Sequence, residues 1–339
     1  SGSLTLTAAG LFGGLQATID VPALGLDGTT VTVEADTRAG ATTPLRVVAD
    51  DLTLTIAGQQ LTADVLVQRG TDGDGAAVTI LGLADVGLSI GGPGYGVALV
   101  GGTGLLVVSG SGLAGTISGA ITLDLGADAG FSGTLSVAVN TTAAEVSASV
   151  TFAGHTVDLS LAAGPYLRVE GTGITLTVFG QSFSGNIAVE KATTTATSPS
   201  TVLRVALSQV TVSFGGLLTV TGGTALLVSG TDGLAGRIAG TVALSVPQVS
   251  LSGSLEVVLN TGTAELLTSF RIGDGEPIEL AAPPGDYLAV VGEDITLEVA
   301  GQRLATDLAI VRDTAAGTLT LRLRNTSLAL GGTADAPVL

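Results

Sequence analysis

His155 is the only histidine among the 339 residues and the chain has no cysteine, so few side chains could act as nucleophiles or metal ligands. A Ser-His-Asp triad or a histidine-containing zinc site would have to use His155. This residue stands in Ala153–Thr156, where a glycine indicates a turn between two strands. Because a solvated turn histidine needs no catalytic role, we predict that the chain is not an enzyme.

The acidic residues best suited to a cation are Asp72 and Asp74, in the sequence TDGDG from Thr71 to Gly75. Carboxylates separated by glycine can supply the oxygen ligands that Ca²⁺ prefers. The spacing of an EF-hand and tandem GGxGxD nonapeptides are both missing, and a flexible hairpin tip is the alternative interpretation. Asp72 and Asp74 are thus candidates for Ca²⁺, and no other cofactor is predicted.

The charge balance disfavours two classes of partner. The chain carries 29 acidic and 12 basic residues, a formal net charge of −17. Nucleic acids and anionic membrane surfaces both bind chiefly through Lys and Arg, whereas a strong net charge keeps a protein soluble. No uninterrupted apolar run reaches the length of about 18 residues that a membrane-spanning helix needs. We therefore expect neither nucleic acid binding nor membrane insertion.

The elements that position these residues are repeated along the chain. The stretch GGTGLLVVSGSGLAG at Gly101–Gly115 recurs as GGTALLVSGTDGLAG at Gly222–Gly236. We predict three tandem copies at residues 1–100, 101–221 and 222–339, of which copy one is atypical and shortened. The two stretches would form the junctions where successive copies meet, with Leu105 and Leu226 as buried contacts.

The three copies align best at a short hairpin, at residues 52–67, 174–189 and 295–310. Apolar residues alternate with Thr along its first arm, which is the period of a half-buried strand. The Gly-Gln pairs at the turns predict type II′ geometry, which requires a positive φ at the first central residue. This turn would place Val299 opposite Leu304, and the corresponding apolar pairs of the other copies opposite each other.

Each copy also contains an Asn-Thr or Asp-Thr pair, at Asn140, Asn260 and Asp36. We interpret these pairs as turns, because Asn and Asp tolerate a left-handed backbone and cap their own turn. Copies two and three then carry an extra segment that ends near Tyr166 and Tyr287. Copy one lacks this segment, as a terminal repeat often departs from the consensus.

These patterns predict an all-β protein. The chain has 51 glycines, only 3% aromatic residues and no Trp, so its core has to consist of Leu, Val, Ile and Ala. We predict antiparallel hairpin and meander strands in tandem repeats, which form an elongated sandwich- or barrel-like β structure. Whether the copies are separate domains or one continuous sheet stays open. Because the chain starts with Ser1-Gly2-Ser3 and contains no Met, we expect a piece of a longer protein.

The repeated motifs GLAG, LSGxLxVxxNT, YLxVxG and the GQ turn resemble the tandem modules of very large secreted bacterial surface proteins, adhesin-like or fibre-forming. The resemblance implies an extracellular or cell-surface stalk or filament segment without enzymatic activity, whose partners are further copies of the repeat, end to end. The calcium-binding linkers of many such adhesins are not evident. The alternative is an adhesin module that binds a surface glycan, or ice through Thr-rich strands such as Ile174–Val178, although Glu298 interrupts the Thr pattern in copy three.

Overall fold

The computed structural model describes residues 1–21, 26–41, 43–56, 59–71, 76–92, 95–124, 126, 129–193, 200–314, 317–333 and 336–337. Within them are 24 strands and no helix. The strands are β1 (Gly2–Thr7), β2 (Gly10–Val21), β3 (Leu26–Asp36), β4 (Leu45–Ile56), β5 (Gln59–Thr71), β6 (Ala77–Gly92), β7 (Tyr95–Ser109), β8 (Gly112–Asp124), β9 (Ala129–Asn140), β10 (Val146–Phe152), β11 (His155–Leu161), β12 (Tyr166–Val178), β13 (Gln181–Thr193), β14 (Thr201–Phe214), β15 (Leu218–Gly230), β16 (Gly233–Val246), β17 (Val249–Asn260), β18 (Leu266–Phe270), β19 (Ile278–Ala282), β20 (Tyr287–Val299), β21 (Gln302–Asp313), β22 (Thr318–Ala329), β23 (Gly332–Thr333) and β24 (Ala336–Pro337).

Eighteen of these strands form one antiparallel sheet in meander order, and the other six form three two-stranded sheets. The separate pairs are β10–β11, β18–β19 and β23–β24. Short connections between successive strands enforce antiparallel pairing, and alternating side chains give each strand two different faces. The all-β, antiparallel meander prediction is confirmed. No helix among the described residues is long and apolar enough to cross a membrane.

The chain divides into two compact units. Unit 1 contains residues 1–127 and 131–169, and unit 2 contains residues 128–130 and 170–339. Each unit has its own cluster of buried apolar residues. The division falls inside the predicted copy two, so the three copies of the sequence and the two units of the structure are different partitions. The copy boundaries stay a prediction.

The aligned hairpins of copies two and three have a different turn from the one expected, and the turn residues 57 and 58 of copy one lie outside the described residues. In copy three Val299 pairs with Gln302, so the central residues are Ala300 and Gly301, with φ of 50° and 79°. Two positive φ values define a type I′ turn, whose twist matches that of the flanking strands. Leu304 consequently faces Leu297 and not Val299. Because the register differs by two residues, the apolar side chains stay on the face that the alternation predicts.

Candidate functional site

The extra segment of copy two is the hairpin β10–β11, which lies on one face of the sheet in unit 1 and is called here the first lid. Polar residues alternate with its inward side chains, which are Val150, Phe152, Val157 and Leu159. They pack against one buried side chain from each of β4 to β7, namely Val48, Leu66, Ala84 and Leu105. The lid of copy two therefore packs on three strands of copy one and on Leu105 of its own copy, so the core is shared by the two copies.

Gly82 on β6 provides the space for the largest side chain of the first lid. A Cβ atom at this position would lie 2.8 Å from Cε1 of Phe152 and 3.3 Å from Cβ of Leu66. Real Cβ atoms do not approach neighbours so closely, and a forced extra methyl in a packed core strains its surroundings. The glycine thus fixes where the Phe152 ring rests on the sheet.

The extra segment of copy three is the hairpin β18–β19, the second lid, and it covers the sheet of unit 2 in the same way. Its buried side chains are Phe270, Ile278, Leu280 and Ala282, together with Ile272 just after β18. They contact Ala188, Ala206, Leu226 and Ala235 on β13 to β16. Leu105 and Leu226, the residues predicted to lie where copies meet, are 1% and 0% exposed in the two cores.

A buried asparagine holds the base of each lid. Asn140 donates from Nδ2 to the carbonyl oxygens of Ala144 and Ala162 at 2.9 and 2.8 Å, before and after the first lid. Its Oδ1 accepts the N–H of Thr142 at 2.9 Å. Because one amide bridges the entry and the exit of the hairpin, the lid cannot separate from the sheet without leaving buried polar groups unpaired.

Asn260 repeats this clamp beneath the second lid. Its Nδ2 donates to the carbonyl oxygens of Ala264 and Pro283 at 2.9 and 2.8 Å. Its Oδ1 accepts the N–H of Gly262 at 2.8 Å. Neither Asn140 nor Asn260 has a positive φ, so the expected left-handed backbone is wrong. The prediction that these side chains cap their own turn is confirmed, because each Oδ1 accepts the N–H of the residue two positions further on. Their side chains end a strand and anchor the lid that follows.

Copy one, which has no lid segment, carries Asp36 at the corresponding place. Its carboxylate pairs with Arg38 at 2.6 Å, and this hydrogen bond lowers the pKa of Asp36 to about 2. The next residue keeps its role in all three copies, because Thr37, Thr141 and Thr261 each accept the N–H of a strand-opening leucine at 2.9 Å. The exchange of Asn for Asp therefore follows the presence of a lid and not the turn itself.

A row of β-bulges crosses the sheet beside the tip of the first lid. Asp51, Asp85 and Gly101, on β4, β6 and β7, have φ of 54°, 47° and 60°. The register of the strand pairs shifts at each of them. A bulge bends its strand and increases the local twist, so stacked bulges curve the sheet along one line.

One acceptor side chain supports this row in every copy. This side chain lies on the neighbouring strand and accepts a hydrogen bond from the backbone N–H of a residue with left-handed φ. The pairs are Asp64 with Asp51 at 2.8 Å, Asn186 with Gly173 at 2.8 Å, and Asp307 with Asp294 at 2.9 Å. A left-handed residue other than glycine is strained, and the side-chain hydrogen bond offsets part of that cost.

His155 lies at the tip of the first lid, directly over the bulge row. Its Nε2 is 3.1 Å from Oδ2 of Asp85 and 3.5 Å from Oδ2 of Asp64. One imidazole and two carboxylates form a donor set suited to a divalent ion, and these are the described residues that could hold one. In copy two Asn186 occupies the place of Asp64 and donates to Gln209 at 3.2 Å. The recurring feature is therefore a polar contact at the bulge, made by different residues.

Asp50 adds a third carboxyl group to this part of unit 1. Its Oδ1 is buried without a hydrogen-bond partner. Burial raises the pKa of Asp50, and the neighbouring charges of Asp64 and Asp51 raise it further. Acidic groups thus accumulate next to the bulge row, where the imidazole of His155 contacts two of them.

Among the described residues no lid covers the corresponding sheet face of copy three, which also has a different composition. An open cleft of about 440 Å³ lies over β20 to β22, lined among others by Glu293, Asp307, Ala309, Arg322 and Arg324. Strand register makes Arg322 the counterpart of Gly82 and Ala206. Where the lidded sheets have a buried small residue, copy three therefore has an exposed arginine.

The residues predicted to bind Ca²⁺ cannot be placed, because Asp72 and Asp74 lie outside the described residues. Thr175 and Thr177 of the Thr-rich strand are exposed on β12. The contacts of His155 were missed from the sequence, since Asp64, Asp85 and His155 are brought together by three different strands. The buried Asn140 and Asn260 were recognisable, because each precedes an extra segment that the Asp36 copy lacks.

No known protein family, curated protein or solved structure matches the chain.

Proposed function

We propose that this chain is a non-enzymatic structural repeat segment, part of a stalk or filament of a large extracellular protein on a bacterial cell surface. The observation that carries the proposal is the lid arrangement, in which a hairpin of one copy packs into a core that combines strands of the preceding copy with strands of its own copy. The same arrangement occurs twice, around Leu105 and around Leu226. Successive copies are thereby linked by buried apolar contacts as well as by the chain itself.

Such a linkage suits a segment that withstands tension. Each lid lies in the chain between two strands of the main sheet, and Asn140 or Asn260 ties its two ends together. Separating a copy from the next one requires removal of the lid and exposure of its buried side chains to water. The extracellular location is the part of the proposal that rests on the resemblance of the repeat motifs alone.

The polar cluster at His155 supports a structural role better than a catalytic one. Its imidazole lies on the tip of the first lid and contacts Asp64 and Asp85 on the sheet. The tip of the second lid has no histidine, and its polar contact with the sheet is made by the N–H of Gly273, which donates to Oε1 of Glu170 at 3.5 Å. A catalytic or metal-binding function would depend on the imidazole, whereas a structural tie requires only complementary polar groups, which both lids have.

Single-molecule stretching between the chain ends tests this proposal. We expect two force peaks, one for each unit of about 170 residues, and each peak should release roughly 600 Å of chain. Phe270→Asp, which places a charge in the core under the second lid, should abolish one peak. Leu267→Asp on the same strand, where the side chain is 67% exposed, should leave both peaks. Extension of the wild-type chain without force peaks would overturn the proposal.

A further inference from the structure

The two edge strands of the main sheet both expose leucines. Among the described residues β1 pairs only with β2, and β22 pairs only with β21. Leu4 and Leu6 of β1 are 41% and 79% exposed. On β22, three leucines are exposed by 73%, 65% and 56%, namely Leu319, Leu321 and Leu323. Unpaired backbone groups beside exposed leucines form a template for a further strand.

The register identifies β22 as the counterpart of two interior strands. Leu308 and Ile310 of β21 face Leu323 and Leu321 of β22. The same spacing pairs β5 with β6, where Val65 and Val67 face Leu83 and Leu81, and β13 with β14, where Ile187 and Val189 face Leu207 and Val205. Both β6 and β14 have a further neighbour on their other side, β7 and β15, and β22 has none in the described chain.

The strand β1 is in turn the counterpart of β7 and β15. The turns that follow these three strands end at Gly10, Gly112 and Gly233, with similar φ of 134°, 140° and 127°. The three hairpins share one register, because Thr7, Ser109 and Gly230 face these glycines. The chain thus has a β7-like edge strand at its beginning and a β6-like edge strand in copy three.

We propose that β1 of one chain pairs antiparallel with β22 of a second copy of the chain, in the register that joins β7 to β6 and β15 to β14. Inside unit 1, Leu106 faces Leu81, Val108 faces Thr79 and Gly104 faces Leu83. The equivalent pairs between chains are Leu4 with Leu321, Leu6 with Leu319, and Gly2 with Leu323. This inference rests on the proposed structural function, and it names the partner as well as the surface.

The residues on the lid side of the new pair are also complementary. In the interior pairs a large residue of the β7-type strand faces a small one, Leu105 opposite Gly82 and Leu226 opposite Ala206. Between chains the sizes are exchanged, because Ser3 would face Arg322. The next residue along this row is Gly14, which pairs with Ser3, so the long Arg322 side chain has room to extend across β1 and β2.

The association is head to tail, because it uses a different surface on each partner. Such heterologous contacts produce a ring if the rotation closes and an open chain if it does not. Main-chain hydrogen bonds along the six residues of β1 provide the attraction, as in other cases of strand addition to a sheet edge. The contact is short, so we expect assembly to depend strongly on protein concentration.

Sedimentation velocity over a range of protein concentrations tests the pairing. The wild-type chain should form larger species as its concentration rises. Leu4→Arg and Leu321→Arg each disable one edge, so each variant alone should be monomeric. An equimolar mixture should form a dimer and nothing larger, because one intact β1 and one intact β22 remain. Leu267→Arg, on the exposed side of the second lid, should associate like the wild type.

Cysteine pairs test the register, since the chain has no cysteine of its own. A Leu4→Cys chain mixed with a Leu321→Cys chain should form a disulfide-linked dimer on mild oxidation. Leu6→Cys with Leu321→Cys, which the register does not place opposite each other, should cross-link at least about tenfold more slowly because disulfide geometry is strict. Equal rates for both pairs would overturn the register.

The remaining results are equally decisive. A wild-type chain that is monomeric at all concentrations, or assembly that persists in Leu4→Arg, would overturn the edge pairing. Either result could coexist with intact force peaks in the stretching experiment, in which case the structural function stands without this partner. Assembly without force peaks would instead leave a self-associating sheet that does not withstand tension. Recovery of dimers in the mixture shows that both variants are folded.

Discussion

The lidded sheet of copy one and the lidless sheet of copy three have the same strand register and opposite surfaces. At the centre of the first, Leu66 is fully buried beside Gly82, with the ring of Phe152 above them. At the equivalent place of the second, Ala309 is only partly buried and Arg322 is exposed. Since the strand register is alike in both, Gly82 on β6 and its counterpart Arg322 on β22 differ in how much room they leave on the sheet for a hairpin.

This difference shows how a single repeat pattern can produce both an interior and a surface. Gly82 and Ala206 leave space for apolar lid residues, whereas Arg322 fills that space and requires solvent or a polar partner. Repeat proteins usually combine apolar faces between copies with a polar face where the packing stops. The face of copy three has that polar character, although its edge strand β22 keeps exposed leucines.

The most damaging way to test the comparison is to place a charge at the centre of a lidded core. Leu105→Asp should destabilise unit 1 by about 4 kcal/mol or more, because it removes a buried side chain and introduces an unpaired carboxylate. Urea unfolding should show a large shift of the midpoint. Val108→Asp is the matched control, since this residue of the same strand is 43% exposed and should change stability little. Equal effects of the two substitutions would contradict the lid core.

A reciprocal exchange sharpens the comparison further. Gly82→Arg gives copy one the residue of copy three, and it should displace the first lid at a cost of about 3 kcal/mol, because the side chain occupies the site of the Phe152 ring. Arg322→Gly should alter stability by no more than about 0.5 kcal/mol, as expected for an exposed surface site. Hydrogen exchange of residues 146–161 reports lid opening directly. Full protection of the lid in Gly82→Arg would refute the steric argument.

The clamps at the lid bases should have a smaller effect. Asn140→Ala leaves the carbonyl oxygens of Ala144 and Ala162 without their donor, which should cost about 2 kcal/mol. Asn260→Ala should weaken unit 2 similarly. Asp36→Ala, in the copy without a lid, removes an exposed ion pair with Arg38 and a hydrogen bond from the exposed N–H of Arg38, and it should shift the unfolding midpoint much less. The test fails if Asp36→Ala is as harmful as Asn140→Ala.

Much of this architecture could be predicted from the sequence because it follows from local periodicity. Alternation over Ile174–Val178 and its counterparts indicates strands, and short connections enforce an antiparallel meander. The repetition around Leu105 and Leu226 identified the residues at the centres of both cores. The missing extra segment in copy one also marked the place where a lid is absent.

The features that could not be predicted depend on contacts between distant segments. Nothing near His155 in the sequence indicates that Asp64 and Asp85 lie beneath it, because the three meet only when the lid folds back on the sheet. The type I′ turn was missed because Ala300 adopts a positive φ, which its residue type disfavours. The similarity of the copies likewise does not reveal that each lid packs across the boundary between two copies.

The smallest expected effect is the pH dependence of stability that Asp50 and Asp307 contribute beside the two bulge rows. We expect these two contributions to change in opposite directions with pH. Burial raises the pKa of Asp50, so its contribution to stability is present below the unfolded value near 3.8 and is lost as pH rises through the folded pKa. The backbone N–H of Asp294, and then Asn325, lower the pKa of Asp307. Its contribution is present above pH 3.8 and is lost as pH falls through the folded pKa.

Urea midpoints of Asp50→Asn and Asp307→Asn, each measured relative to the wild type at several pH values, isolate these two groups. Asp50→Asn should gain stability relative to the wild type as pH rises from acid to neutral, because the variant avoids a charge next to Asp64. Asp307→Asn should lose relative stability over the same range, since a carboxylate accepts the N–H of Asp294 more strongly than a neutral carboxyl or amide group does. Slopes of the same sign would show that the lidded and lidless bulge rows differ only in what covers them and not in their electrostatics.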